Sequence, residues 1–317
     1  MAKFRDSTEG DSTVVEPGPT LAPPPAFASA AAAAAAEDTG PDRSIGDILA
    51  ELRNRRADQV EKVLQHQRQH GVRFGEAAVA LGLASKDDVL FALSQQFRYP
   101  YAPEESRGAS PELVALNEPF SPRAEGFRAL RSQIMMRVFN GEDQPRALAV
   151  ISPDVNDGKT YCAANLAVVL AQLGGRTLLV DGDMRGPRVH ELFKLNNQTG
   201  LSSILSGRAD KQVIQQVPGV SSLFVLPVGT TPPNPLELVE RQAFGALMRE
   251  LASKFDHVVV DTPAAVHGAD ASVIAARCGA ALVIARKNAT RVAMLQELVA
   301  SFEGSHVKLA GVVVNEF

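Results

Sequence analysis

Three short clusters in this chain have residue types and spacing suited to chemistry: Gly158-Lys159-Thr160, Asp181-Gly182-Asp183-Met184-Arg185, and Asp261 followed by Thr262-Pro263. The apolar run 178–180 delivers Asp181 straight from a strand. Burying an unpartnered carboxylate costs several kcal/mol, so Asp181 and Asp183 are poor packing residues. They are good neighbours for a phosphate-bound Mg2+. Residues 153–160 lie between an apolar strand and a helix, the context in which loop amides and a helix N-terminus surround phosphates. Lys159 would neutralise the outer phosphates and Thr160 would offer its hydroxyl to Mg2+. Pro153 replaces the first glycine of the generic eight-residue loop. Asn156 stands where a second glycine is common, and Asn tolerates a left-handed backbone. The loop run Asn156, Asp157, Gly158, Lys159, Thr160 and Tyr161, with Asp261, is therefore the expected nucleotide-binding set, and Lys159, Asp181 and Asp261 should converge at one sheet edge.

Positioning these residues requires a sheet whose strands all deliver their carboxyl ends to one side. From residue 146 onward apolar strands and amphipathic helices alternate: 146–152, 160–173, 176–180, 223–228, 236–254, 257–260, 280–285, 289–302 and 309–314. That pattern predicts an α/β fold of the P-loop NTPase type, a mostly parallel sheet with helices on both faces. A helix over 122–139 leads into this unit, which is expected to span 121–317. Residues 103–120, polar with Pro and Gly, are expected as a linker.

Residues 43–102 predict a small all-α domain built on an internal repeat. Ile45-Gly46-Asp47-Ile48-Leu49 matches Phe74-Gly75-Glu76-Ala77-Ala78, an offset of 74 − 45 = 29. Leu52 and Leu81, Val60 and Val89, Leu64 and Leu93, and Gln67 and Gln96 pair at the same offset. Gly82 should end one helix and Ser85 cap the next. Residues 1–42 hold few large apolar side chains and are expected to be a disordered tail.

With a net charge of −4, the chain has no general attraction for nucleic acid, which is excluded as a partner. Cys162 and Cys278 are far apart in apolar contexts, fitting reduced core thiols in a cytoplasmic protein. The small-residue run 26–36 is too short to span a bilayer, so membrane association is expected through a partner rather than by direct insertion.

On these motifs the region from Glu125 onward resembles the bacterial tyrosine kinases, P-loop enzymes that regulate capsule and exopolysaccharide chain length. Supporting matches are Pro187-Arg188-Val189-His190, Gly200-Leu201-Ser202, and Gly229 through Pro233-Asn234-Pro235 to Leu238. The resemblance implies ATP and Mg2+, with Thr160 and Asp183 as metal ligands and Asp261 orienting the metal through water. It implies that Asp181 takes the proton of an incoming tyrosine hydroxyl, while Lys159 and Arg185 stabilise the transferred phosphoryl group; a salt bridge to a neighbouring acid is an equally good reading of Arg185. Glu125, Arg128 and Arg131 match an oligomerisation helix, which implies a homo-oligomer. With the helical region, the whole resembles a cytoplasmic kinase subunit, peripheral to the inner membrane through a transmembrane chain-length determinant, the polysaccharide co-polymerase.

The helical region itself resembles the N-terminal domain of type II secretion and type IV pilus assembly ATPases, some of which bind cyclic di-GMP through two such repeats. The second repeat keeps Arg73-Phe74-Gly75, Gly82 and Gln96, whereas the first has Ser44 and Arg53 at the corresponding positions. Losing an Arg removes a bidentate phosphate contact, so protein docking is expected ahead of cyclic di-GMP binding. The kinases often end in a tyrosine cluster, whereas here the last residues are Val314-Asn315-Glu316-Phe317 and the tyrosines are Tyr99, Tyr101 and Tyr161. Phosphate transfer is therefore expected to depend on the membrane partner. The rival reading is a MinD- or ParA-like ATPase, or an ATP-held scaffold without kinase activity. Such ATPases carry a lysine where this chain has Asp154.

Overall fold

The computed structural model describes residues 45–52, 57–96, 110–140, 146–208 and 213–316. The expected tail 1–42, Ser44, Arg53, Tyr99 and Tyr101 lie outside the described residues.

Four helices occupy the first region: Ile45–Leu52, Ala57–His70, Phe74–Ala80 and Lys86–Gln96. Their starts repeat as the sequence does, since 74 − 45 and 86 − 57 both give 29. The buried positions keep the same offset: Ile48 with Ala77, Leu49 with Ala78, and Val63 with Ala92. Packing is crossed, the first helix lying on the fourth and the second on the third. Gly82 adopts the expected positive φ of 65°. Ser85 and Asp88 exchange backbone bonds of 2.8 and 3.0 Å, a reciprocal cap at the start of the last helix.

The second region is a seven-stranded sheet in the order β3-β4-β2-β5-β1-β6-β7. The strands are β1 Ala147–Ile151, β2 Thr177–Asp181, β3 Gln215–Val217, β4 Val220–Leu226, β5 His257–Asp261, β6 Gly279–Arg286 and β7 Lys308–Asn315. All neighbours are parallel except β3 against β4. Strands β1, β2 and β5 are buried along their whole length, as a parallel sheet covered on both faces demands. Alternate side chains supply two cores. Leu148, Val150, Leu179 and Val259 pack against the Lys159–Ala171 helix. Ala149, Ile151, Leu178 and Val260 pack with Phe244, Met248 and Ile274 on the opposite face.

Three expectations need correction, and one helix was not expected. The second half of the expected linker is core: Leu113 and Ala115 are fully buried, because 113–116 is an uninterrupted apolar run. Asn165, itself buried on the Lys159–Ala171 helix, binds this segment by accepting from Ala115 N–H at 2.9 Å and donating to the Glu112 carbonyl at 3.0 Å. The helix expected over 236–254 is two, Pro235–Glu240 and Gln242–Lys254, parted at Arg241 with ψ 145°. The break lets Leu238 and Val239 bury on one axis and Phe244 and Met248 on another. The helix Asp270–Cys278 was not anticipated. Finally, the helix over 122–139 is α-helical only through Pro122–Ile134 and continues as a π-helical turn over Met135–Phe139.

Candidate functional site

The loop after β1 has the backbone that its residue types allow. Asn156 has φ 60° and Gly158 φ 94°, both left-handed, and the helix begins at Lys159. A Cβ at Gly158 would lie 2.1 Å from Nδ2 of Asn315, so the loop is closed tightly against β7. Lys159 is 8% exposed, a buried ammonium at the helix start rather than the surface residue a phosphate ligand suggests. Loop geometry is set internally: the Ser152 hydroxyl donates to the Asp154 carbonyl at 2.7 Å, and Asp154 N–H donates to Asp157 Oδ2 at 3.0 Å. The segment after β5 is tied alongside, with Ala265 and Val266 N–H donating to the carbonyls of Ser152 and Pro153 at 2.9 and 3.0 Å.

Two of the predicted acids meet at the carboxyl edge. Asp181 on β2 and Asp261 on β5 are register partners, and both are fully buried. Gly182 must be glycine here: its N–H donates to the Asp261 carbonyl at 2.9 Å, and a Cβ would approach that oxygen to 2.6 Å. Asp181 accepts from Asp183 N–H at 3.2 Å and from Val189 N–H at 3.1 Å. The Pro187-to-His190 motif thus serves to hold Asp181. Asp261 differs, because neither of its buried carboxylate oxygens has a hydrogen-bond partner at ordinary geometry.

Burial pushes the Asp261 carboxyl up to about 7, opposed by the Thr160 hydroxyl and Lys159, with Asp183 raising it further. Burial likewise raises Asp181 well above the usual carboxylate range, the neighbouring Asp261 adding to it and the N–H donors of Val189 and Asp183 opposing. A buried carboxylate with no hydrogen bond of ordinary geometry, beside a second acid and the Thr160 hydroxyl, is a donor set that fits Mg2+.

The remaining predicted residues are placed as follows. Asp183 is half-buried and its Oδ1 accepts from Arg185 and Gly186 N–H at 3.1 and 2.9 Å. The Arg185 guanidinium grips Asp270 through two bonds, 3.3 and 3.0 Å, which is the salt-bridge alternative rather than a contact to the phosphate loop. Tyr161 packs edge-to-face on Phe127 at 5.6 Å, and burial raises its phenol pKa. Arg128 pairs with Glu125 at 2.8 Å and also donates to the Pro119 carbonyl. Arg131 donates to the Val169 carbonyl at 2.7 Å, capping the last turn of the Lys159–Ala171 helix. Cys162 is buried and its thiol is pushed up to about 12 by burial, as expected of an inert core residue.

Three contributors were missed. Thr290 Oγ1 donates to Asp157 Oδ1 at 2.7 Å, Asn315 Nδ2 donates to the Asp157 carbonyl at 3.1 Å, and Asp270 anchors Arg185. Their partners are 133, 158 and 85 residues away, so no local spacing announces them.

Comparison with known proteins gives the family to which this sheet and loop belong. Residues 148–317 match the model of the CobQ/CobB/MinD/ParA nucleotide binding domain. The putative tyrosine-protein kinase CapB of Staphylococcus aureus is 34% identical over 207 residues, covering 64% of this chain and 89% of that protein. The tyrosine-protein kinase Wzc of Salmonella typhimurium is 31% identical over 204 residues, again 64% of this chain, but the match spans only 28% of Wzc. Among solved structures, the chimerical protein CapA2B2 superposes with a TM-score of 0.61 at 32% identity, covering 71% of this chain and 97% of that one. Among the described residues no helix is long and apolar enough to cross a membrane. The chain belongs to the CobQ/CobB/MinD/ParA nucleotide-binding family, among the bacterial tyrosine-protein kinases of that family.

Proposed function

We propose that this chain is an ATP-dependent protein-tyrosine kinase that works with a transmembrane chain-length protein in exopolysaccharide export. The observation that carries the reading is the buried Asp181–Asp261 pair beside Lys159 and Thr160, with both Asp261 oxygens unsatisfied. In the reaction, the oxygen of an acceptor tyrosine bonds to the γ-phosphorus of ATP, the bond from that phosphorus to the β,γ-bridging oxygen breaks, and ADP leaves. The tyrosine proton passes to Asp181, whose carboxyl is made more basic by burial than that of an exposed aspartate. Lys159 and the loop amides neutralise charge on the transferred group. Mg2+, held by Thr160, Asp183 and Asp261, would supply electrostatic stabilisation of the phosphates. Arg185 acts by fixing the Asp183 turn to Asp270 rather than by touching phosphate.

The chain works in the cytoplasm, held to the inner membrane by the co-polymerase and assembled as a homo-oligomer through the Glu125, Arg128 and Arg131 helix. The helical region docks another protein of the export machinery in preference to cyclic di-GMP. A MinD- or ParA-like ATPase is the competing reading. Its signature lysine position is Asp154, whose Oδ1 accepts from Val155 N–H at 2.7 Å within its own loop and cannot reach across as a cation. Transfer of label from ATP to tyrosine, with and without the partner's cytoplasmic tail, separates the two. Labelled phosphotyrosine that rises with the tail supports the kinase. Steady ATP consumption without phosphotyrosine in either condition would replace it with the ATPase.

A further inference from the structure

Asp157 poses a problem for a phosphate-binding loop. It immediately precedes Gly158 and Lys159, where an incoming triphosphate must lie, and a free carboxylate there would repel it. The structure turns this acid away from solvent, leaving it 2% exposed. Its two oxygens are held separately, Oδ2 by Asp154 N–H at 3.0 Å and Oδ1 by the Thr290 hydroxyl at 2.7 Å. The Thr290 hydroxyl is anchored on both sides, its oxygen accepting from Arg286 N–H at 2.6 Å while its single proton goes to Asp157. Arg286 ends β6, which pairs directly with β1, the strand that leads into the loop. The main chain of Asp157 is held as well, its carbonyl accepting from Asn315 Nδ2 at 3.1 Å. Asn315 is fixed in turn, since its carbonyl accepts from Lys287 N–H at 2.8 Å.

We propose that Thr290 is a positioning residue for nucleotide binding: by holding the Asp157 carboxylate it keeps negative charge off the phosphate path and sets the loop amides for the triphosphate. The proposal deepens the nucleotide site described above and rests on that reading. Thr290 does not touch the substrate; it acts through Asp157. What it requires of residue 290 is a hydroxyl, with the side-chain shape secondary.

The test uses the full chain and compares Thr290→Val, which keeps the shape and loses the hydroxyl, with Thr290→Ser, which keeps the hydroxyl. Calorimetry with Mg-ATP gives the dissociation constant, and melting without nucleotide reports the fold. Losing this one charge-assisted bond is expected to weaken Mg-ATP about tenfold in Thr290→Val, with Thr290→Ser within about twofold of the parent. Asp157→Asn, combined with Thr290→Val, should cost no more than Thr290→Val alone, since the charge to be restrained is gone. Unchanged affinity in Thr290→Val would overturn the proposal, as would a Thr290→Ser variant as weak as the valine one. Should Thr290→Val melt before it can be titrated, Thr290→Ala measured in the parent and in an Asp157→Asn background decides: equal losses in the two backgrounds would overturn the coupling, and a smaller loss in the Asp157→Asn background would support it. Failure of the parent chain to bind Mg-ATP would defeat the nucleotide reading itself, and this proposal with it.

Discussion

Asp181 and Asp261 lie opposite each other in register at the carboxyl ends of β2 and β5, and neither is exposed to solvent. Two like charges this close and this dry cannot both ionise freely, so the pair shares protons until a cation or a bound substrate changes the balance. Without such a cation the pair strains the fold at neutral pH.

That strain has a pH signature. The folded chain keeps a proton on Asp261 up to about 7, with Asp181 also raised by burial, whereas the unfolded chain releases both near the ordinary aspartate value. The contribution to stability is therefore fully present below the unfolded value and is lost as pH rises through the folded one. The nucleotide-free, metal-free chain should melt several degrees higher at pH 5 than at pH 8, and Asp261→Asn should remove most of that difference. Melting curves across pH for the two proteins check this. An Asp261→Asn curve parallel to the parent would show the pair to be unstrained.

Binding and transfer should separate at neighbouring positions. Lys159→Ala is expected to lower Mg-ATP affinity by two orders of magnitude or more while leaving the far-ultraviolet spectrum unchanged. Asp181→Asn keeps the shape but only one of the two N–H contacts, since these fall on different oxygens and an amide NH2 cannot accept. It should still bind ATP within about tenfold of the parent and lose phosphotyrosine formation. Equilibrium binding and single-turnover labelling measured on the same preparations would show whether the two losses divide this way.

Replacing Arg128 and Arg131 together by Ala should shift the mass in solution toward monomer. Both arginines also have partners within the chain, Glu125, the Pro119 carbonyl and the Val169 carbonyl. The double variant should accordingly lose about 1 kcal/mol of stability through the uncapped helix end. Mass photometry at matched concentration, read beside a melting curve, distinguishes assembly from simple loosening: a lower melting temperature with unchanged mass would confine these residues to the intrachain role.

For the helical region, titrating the full chain with cyclic di-GMP should show no binding at micromolar concentrations. Tight heat release, saturating at one or two sites, would instead make this region a nucleotide sensor and displace protein docking as its role.

The site's core was legible because its signals are local. The left-handed Asn156, the strand-ending Asp181 and Asp261, and the Ser85 cap each follow from a residue type set against its immediate neighbours. Reading stopped where the fold joins distant segments. Nothing near Arg185 reveals that Asp270 will meet it, and nothing near Asp157 points to Thr290. The helix Asp270–Cys278 hid for another reason, since its apolar stripe is made largely of Ala and a cysteine, which give a weak periodic signal. Residues 110–120 were misread because Pro and Gly upstream outweighed the short apolar run that in fact packs.

The strand order also governs when this site can exist. Strand β1, which carries the phosphate loop, pairs with β5 and β6, both made from residues more than a hundred positions later. During synthesis the loop emerges long before its walls, its second acid or its Thr290 anchor. Such distant pairings close slowly and reward the chain only once complete. Nucleotide therefore cannot template the early steps of folding here, and a ribosome-bound chain ending before β6 should ignore ATP altogether. A nucleotide site is complete only after the sheet has closed around β1.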